Sequence, residues 1–381
     1  MGWLSNLFKK ETPTQTKYAE VMSGYAPIFS QFGTNIYASD VVQQAINCIV
    51  SEMKKLRPEH IREKGNDIIP VDDSSLQAVL NNPNPRMTTS DFLEKVTWLL
   101  FLNYNVFIVP TYYVWTDKDG KEKRKYDGLY PILPSQVDFI EDAGNRLYVK
   151  FRFNNGQEYT LRYSDVIHIK YRYSVNDFMG GNEQGQPDND ALLKTLNLNH
   201  TLLEGVAKAM KSSFAINGVV KINTMLDDGK TELALKDLES KLKKSESGFL
   251  PMDLKGEFIP IKKEIQLVDP DTLKFIDEKI LRHFGVPLSI LTGDYTKEQY
   301  EAFYQKTLEP LIISFSQAFT KTLLTDGELS HHNKVMFYPK ELIFMSVDQT
   351  IQMVTLLSNT GAMYENEKRV AFGLRPLKEL E

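Results

Sequence analysis

Cysteine is almost absent. A single one, Cys48, occurs in 381 residues, so no disulfide can close within one chain and assembly in a reducing cytoplasm is expected. Cys48 sits in the run Val42-Gln43-Gln44-Ala45-Ile46-Asn47-Cys48-Ile49-Val50. It reads as a buried structural thiol on an amphipathic helix, because a nucleophile needs a poised base and an electropositive setting. A surplus of positive charge is also missing: 45 Lys and Arg face 50 Asp and Glu, a net charge of −5. Proteins that grip nucleic acid concentrate Lys and Arg, since counterion release drives that binding. This composition excludes a tight grip and favours loose passage of any polyanion. Catalytic signatures are missing too, with no GxxxxGK[ST] loop, no GxSxG elbow, no HExxH and no paired-cysteine pattern. That excludes a P-loop motor and leaves no enzyme class with a signature.

The remaining candidate chemistry has plain structural readings. His331 and His332 are adjacent on a turn, where two rings rarely converge on one metal, so neither a metal nor a cofactor is expected. His168 alternates within a strand beside Ile167 and Ile169 and reads as a packed or solvent-facing strand residue. Asp227 with Asp228, and Asp269 with Asp271, flank turns or helix starts, where Asp is expected for capping. No catalytic residue is assigned. The first ten residues place Lys9 and Lys10 after the apolar positions and show no cleavage signature, so no secretory signal is expected. The uncharged stretch from Val96 to Thr116 is long enough to span a bilayer. However, Asn103, Tyr104 and Asn105 interrupt it, Pro110 would break a helix, and Val106 to Val109 reads as a strand. A buried helix followed by a strand is expected, with no membrane contact.

What is present is a mixed α+β chain of several modules. Hydrophobic and charged residues make up 42% and 25%, ordinary values for a folded protein, and the length exceeds one compact core. Ser39 and Asp40 can cap a helix running to Lys55. Asn81 to Pro85 is a turn cluster, and Thr88 to Ser90 offer the N-cap of a helix carrying Phe92, Val96, Leu99 and Leu100. Arg146 to Phe153 alternates as a strand, Asn154-Asn155-Gly156 is a hairpin turn, and Tyr159 to Tyr163 answers it, with a further strand from Val166 to Tyr173. The polar loop Gly180 to Asn189 is the clearest internal boundary.

Beyond it, a long helix is expected from Asp190 to Phe214. A strand at Val219 to Ile222, a charged helix from Thr231 to Lys244 and strand-like pieces at Phe249-Leu250 and Phe258-Ile259 follow, then a helix from Pro270 to Phe284. Helix out, small module, helix back describes a projecting stalk, with Leu192, Leu196, Leu203 and Val206 placed to pack against neighbouring copies. Gly285 and Pro287 end the returning helix. A polar segment from Leu291 to Lys297 then leads to a third long helix, Lys297 to Leu324, which Pro310 should kink near Thr307. A strand at Val335 to Tyr338, a helix from Ser346 to Ser358 and a short helical terminus complete the chain.

The order of these elements carries a resemblance. Arg282-His283-Phe284-Gly285-Val286-Pro287-Leu288, Gly293-Asp294-Tyr295-Thr296, Phe303 and Thr307-Leu308-Glu309-Pro310-Leu311 together resemble the signature of HK97-type portal proteins of tailed phages. Asp165-Val166-Ile167-His168-Ile169 is similar to the family's D-V-[IL]-H-[IL] strand, and Phe214 to Gly218 to its Phe…Asn-Gly closure. Asn366-Glu367-Lys368-Arg369 with Gly373-Leu374-Arg375-Pro376 resembles the terminal N-E-x-R…G-L-x-P pattern. Two local departures exist. The Gly180 to Asn189 loop stands where many members have Gly-x-Ser-Pro, and Lys297-Glu298 replaces an Asn after the Tyr-Thr pair.

The resemblance implies a portal fold: an α/β wing, a two-helix stem, a small α/β clip, a long kinked helix and a C-terminal helical crown. Carried onto this chain, residues 1–189 are wing, 190–218 and 263–287 stem, 219–262 clip, 288–297 tunnel loop, 298–340 wing again and 341–381 crown. It further implies a homo-oligomeric ring of about twelve subunits at one capsid vertex of the virion, assembled in the host bacterial cytoplasm. The expected function is passage of double-stranded DNA without sequence reading. The large terminase subunit, a head-tail connector, and major capsid and scaffold proteins are the expected partners, and no enzymatic activity is expected. Tyr295, Thr296 and Lys297 are the expected DNA-proximal residues, through phosphate contacts that position without reading. Lys236, Lys241, Lys243 and Lys244 offer a docking surface for terminase or connector if their helix is more than a solvated face. Gly285, Pro287 and Pro310 are the structural hinge. A metal-dependent nuclease would need clustered carboxylates, which the sequence does not show. A membrane pore would rest on the Val96 to Thr116 stretch.

Overall fold

The structure, a computed structural model, describes residues 16–22, 39–64, 67–116, 122–183, 185–213, 218–222, 256–260, 269–339 and 347–361, with Leu233, Lys236 and Ser240. Two compact units emerge, Met1–Leu196 with Glu278–Glu381, and Asn197–Asp277. In chain order come β1 (Thr16–Met22), α1 (Asp40–Met53), β2 (Leu56–Lys64), β3 (Asp67–Pro70), α2 (Ser75–Asn81), α3 (Thr89–Asn103) and β4 (Asn105–Thr116). The strands β5 (Glu122–Ile132), β6 (Gln136–Glu141), β7 (Leu147–Arg152), β8 (Glu158–Arg162) and β9 (Ile167–Lys170) follow. Helix α4 (Asp190–Ser213), β10 (Gly218–Ile222), β11 (Gly256–Pro260) and α5 (Pro270–Phe284) lead to α6 (Leu288–Thr292) and α7 (Lys297–Phe303). A π-helical turn (Tyr304–Leu308), α8 (Glu309–Leu323), α9 (Asp326–Ser330), β12 (Asn333–Pro339) and α10 (Val347–Asn359) complete the description.

Local chemistry sets the main boundaries of the first unit. Thr88 accepts a hydrogen bond from the Asp91 amide while the Asp91 carboxylate accepts one from the Thr88 amide, a reciprocal cap of α3 contributing about 1 kcal/mol. One face of α3 buries Phe92, Leu93, Val96, Leu99 and Leu100. Tyr104, at φ 55°, then turns the chain into β4. The uncharged stretch is therefore a helix and a strand, as expected, and no described helix is long and apolar enough to cross a membrane.

Among the described residues, three antiparallel sheets build this unit, in the orders β1-β6-β7-β8, β5-β4-β9 and β12-β2-β3. The β7–β8 hairpin turns at Gly156, φ 77°, a conformation that glycine adopts without a Cβ clash. Phe107, Val109, Ile132, Val137, Phe139, Val149, Phe151, Val166 and Met179 form one buried cluster. Helix α8 supplies Phe315 and Phe319, whose rings meet Phe337 of β12 edge-on at 5.9 and 5.0 Å, and Phe319 also meets Phe92 of α3 at 6.4 Å.

Strand β9 is shorter than the sequence pattern suggests. The Tyr171 amide still donates to the Tyr104 carbonyl opposite it, at 2.8 Å, but Tyr104 at φ 55° and Arg172 at φ 64° end the extended backbone on both sides. The polar loop after it is tied down. Asn105, buried at the start of β4, donates to the Gly180 and Gly185 carbonyls at 3.0 Å each and accepts from the Gly180 amide at 2.8 Å. A Cβ on Gly180 would lie 2.5 Å from the Tyr171 carbonyl oxygen, so only glycine fits this approach. His168 lies in β9 as expected. It is stacked 4.2 Å from Phe107 and bonded to Tyr163 at 3.0 Å and Asn105 at 3.2 Å.

In the second unit β10 pairs with β11 antiparallel, Gly218 opposite Pro260. Asn199 donates to Asp277 at 3.0 Å. The described residues Leu233, Lys236 and Ser240 are helical, within the charged helix expected there. Phe249-Leu250, Asp227-Asp228 and the terminal N-E-x-R pattern lie outside the described residues.

Candidate functional site

The segment from the end of α5 to α8 is where the structure adds most to the sequence. Helix α5 closes with two nested bonds, Val286 N–H to the Leu281 carbonyl and Gly285 N–H to the Arg282 carbonyl, 3.1 Å each. Gly285 takes φ 74°. This is the glycine cap that a helix uses to satisfy its last carbonyls. Two further groups hold the same end. The Arg172 guanidinium donates to the His283 carbonyl at 2.6 Å, where the helix dipole favours a cation. The Thr307 hydroxyl donates to the Gly285 carbonyl at 2.7 Å. The His283 ring is held down at a pKa of about 4, first by burial and then by the nearby Arg172.

Thr307 reaches Gly285 because the long third helix is not continuous. Pro310 has no N–H to offer the carbonyl four residues back, and its ring crowds that carbonyl. The helix responds with the π-helical turn Tyr304–Leu308 before α8 restarts at Glu309. The expected irregularity near Thr307 is thus a widened turn. Pro287 precedes α6 with extended backbone, and Gly293 ends α6 at φ 78°. Residues 288–297, expected from the resemblance as the tunnel loop, therefore contain a helical turn, and the loop proper is Gly293–Thr296.

That short loop presents the three expected residues together. Tyr295 is 46% exposed, enough to meet a ligand, with its ring 5.6 Å from Tyr300. Thr296 caps α7, its hydroxyl accepting from the Gln299 amide while Gln299 bonds back to the Thr296 amide. Lys297 is exposed and lies 3.7 Å from Glu301 one turn on. An exposed pair of this kind contributes at most about 1 kcal/mol and leaves the ammonium able to exchange partners. From Leu288 to Phe303 three carboxylates, Asp294, Glu298 and Glu301, accompany the one ammonium. The surface is polar and slightly acidic.

The loop is anchored from below by a residue that sequence reasoning assigned only to an apolar helical row. The Tyr300 hydroxyl donates to Glu52 of α1 at 2.7 Å. Burial, then this carboxylate, holds the phenol far above its ordinary pKa. Beside it a cavity of about 390 Å³ is lined by Gln44, Asn47, Cys48, Glu52, Leu291 and Tyr295, among others. Cys48 is half-buried there, its thiol pushed up to about 11 by desolvation and then by Glu52, so it is a poor nucleophile.

Of the other expected site residues, Lys236 is helical and exposed. Lys241, Lys243 and Lys244 lie outside the described residues. No group of three or more His, Cys, Asp or Glu side chains that could hold a metal occurs among the described residues.

Comparison with known proteins places this architecture. A family model described as phage portal protein matches residues 40–373. A "probable portal protein" of Lactococcus phage p2 is 22% identical over 359 residues, covering 90% of this chain and 82% of that protein, and its counterpart in Lactococcus phage SK1 matches equally. Among solved structures, a chain in the neck of an empty gene transfer agent particle, computed with C6 symmetry, superposes with a TM-score of 0.62 at 17% identity. It covers 93% of this chain and 96% of that one. A chain in the neck of the native particle, computed with C12 symmetry, gives 0.60 at 16% identity, with 93% and 97% coverage.

Proposed function

Because the chain belongs to the phage portal protein family, we propose that it forms a ring of about twelve copies at one vertex of a tailed-phage capsid, of the HK97 type. The ring conducts double-stranded DNA during packaging and ejection. The observation that carries this reading is the family match over residues 40–373. The likeness of nearly the whole chain to a neck chain computed with C12 symmetry supports the ring. The role is structural. In this reading residues 219–262 form the clip, where Lys236 and its neighbouring lysines face the large terminase subunit and later the connector. The wing meets capsid and scaffold proteins. The Gly293–Thr296 loop faces the DNA, and the three carboxylates to one ammonium between Leu288 and Phe303 suit a surface past which phosphates slide.

The native mass of the purified protein, with negative-stain images, tests the ring. A particle of about twelve chains with a central hole is expected. A compact dimer that cleaves DNA with a divalent metal overturns the proposal in favour of a nuclease.

A further inference from the structure

We propose that Glu52 is a positioning residue for DNA passage: through the Tyr300 hydroxyl it sets the place of the Gly293–Thr296 loop. The inference rests on the reading that this loop faces DNA. From Thr292 to Gln299 every residue is exposed, and Tyr300 is the first buried one after them. What holds Tyr300 therefore holds that end of the loop. Tyr295 carries the effect to the tip, since its ring lies 5.6 Å from the Tyr300 ring at an angle of 41°.

Apolar packing does not by itself fix the Tyr300 side chain. The buried Phe303 ring meets it at 6.0 Å, but apolar contact is non-directional. The cavity of about 390 Å³ that Leu291, Tyr295 and Tyr300 help to line leaves the side chain room to shift. A hydrogen bond prescribes both a length and an angle, and the 2.7 Å bond to Glu52 supplies them. Glu52 is itself a fixed point. Its other carboxylate oxygen accepts from Lys55 at 2.6 Å, and helix α1, which carries it, buries Val42, Ala45, Ile46, Ile49 and Met53 along one face.

The chain's single cysteine makes the position of the loop readable. Cys48 lines the same cavity as Tyr295 and Leu291, so a thiol reagent reaches it through openings in which the loop lifts. In the purified protein, Tyr300→Phe should raise the rate of Cys48 modification about five-fold, the equilibrium shift of one net hydrogen bond. Burial, Glu52 and Lys55 are what move the Cys48 pKa, so this variant leaves the intrinsic reactivity of the thiol as it was.

In particles assembled in the host, Tyr300→Phe and Glu52→Ala should each lower packaged or retained DNA several-fold at unchanged native mass. Glu52→Gln, whose carboxamide oxygen still accepts from the tyrosine, should keep most of the DNA, and Lys55→Ala should keep all of it. An unchanged Cys48 rate in Tyr300→Phe overturns the proposal, as does wild-type DNA content in Glu52→Ala. Equal losses in Glu52→Ala and Glu52→Gln overturn it too, as does a loss of DNA that follows a fall in native mass. Tyr295→Ala with Lys297→Ala separates the two readings. If this loop variant loses DNA and Glu52→Ala does not, the positioning role alone falls. If neither loses DNA, the part of the loop in DNA handling falls with it.

Discussion

A histidine buried beside a guanidinium resists protonation. His283 holds a pKa of about 4 where an unfolded histidine titrates at 6.5, and His168 and His60 are shifted down as well, chiefly by burial. Between about 4 and about 6.5 the unfolded chain binds protons that the folded chain refuses, so stability rises with pH across this window. Stability present at pH 7 should be lost as pH falls from 6.5 towards 4, read as a falling Tm. His283→Gln should make that fall shallower, and an identical slope in the variant would remove His283 from the account. At this scale the sequence was partly legible. His168 was visible as a strand residue because its neighbours alternate. The hydroxyl of Tyr300 was not, because its ring satisfies the apolar spacing of α7 while its partner, Glu52, lies 248 positions away. Asn105 was equally hidden, being a polar residue whose acceptors, Gly180 and Gly185, come from a distant loop.

Elements announced themselves where the signal is local. The cap at Thr88, the turn at Gly156 and the interruption caused by Pro310 all rest on residues within one turn of the effect. Element ends set by backbone turns at non-glycine residues did not, as β9 shows by stopping beside Tyr104 and Arg172, at φ 55° and 64°. The junction of α5 with the π-helical turn combines both kinds. Gly285 was expected as a helix cap, but its contact with Thr307 exists only in three dimensions. A Cβ there would lie 2.7 Å from the Thr307 hydroxyl at a backbone φ of 74°. Gly285→Ala should therefore destabilise the protein by at least about 1 kcal/mol in chemical denaturation. Combined with Thr307→Ala, which removes the crowding atom, the loss should fall short of the sum of the single losses. Strict additivity would show that the two residues do not meet.

For the whole molecule, family membership and the fold of the neck chains support the proposed ring, and within that proposal the exposed loop faces DNA. Tyr295→Ala with Lys297→Ala is the informative change, leaving Thr296 in place because its hydroxyl caps α7. Packaged or retained DNA should fall several-fold while native mass stays that of the ring. Wild-type DNA content would remove the loop from DNA handling. Family membership was legible because motif order spans nearly the whole chain.

The bond between Tyr300 and Glu52 also has a bearing on time. A ribosome adding residues at 5–20 per second needs roughly 12–50 s to separate the emergence of these two partners. Helix α1 must wait that long, its carboxylate in water, before the loop above it gains its anchor. The loop above α1 thus goes without this anchor until Tyr300 has left the ribosome, long after α1 itself has been made.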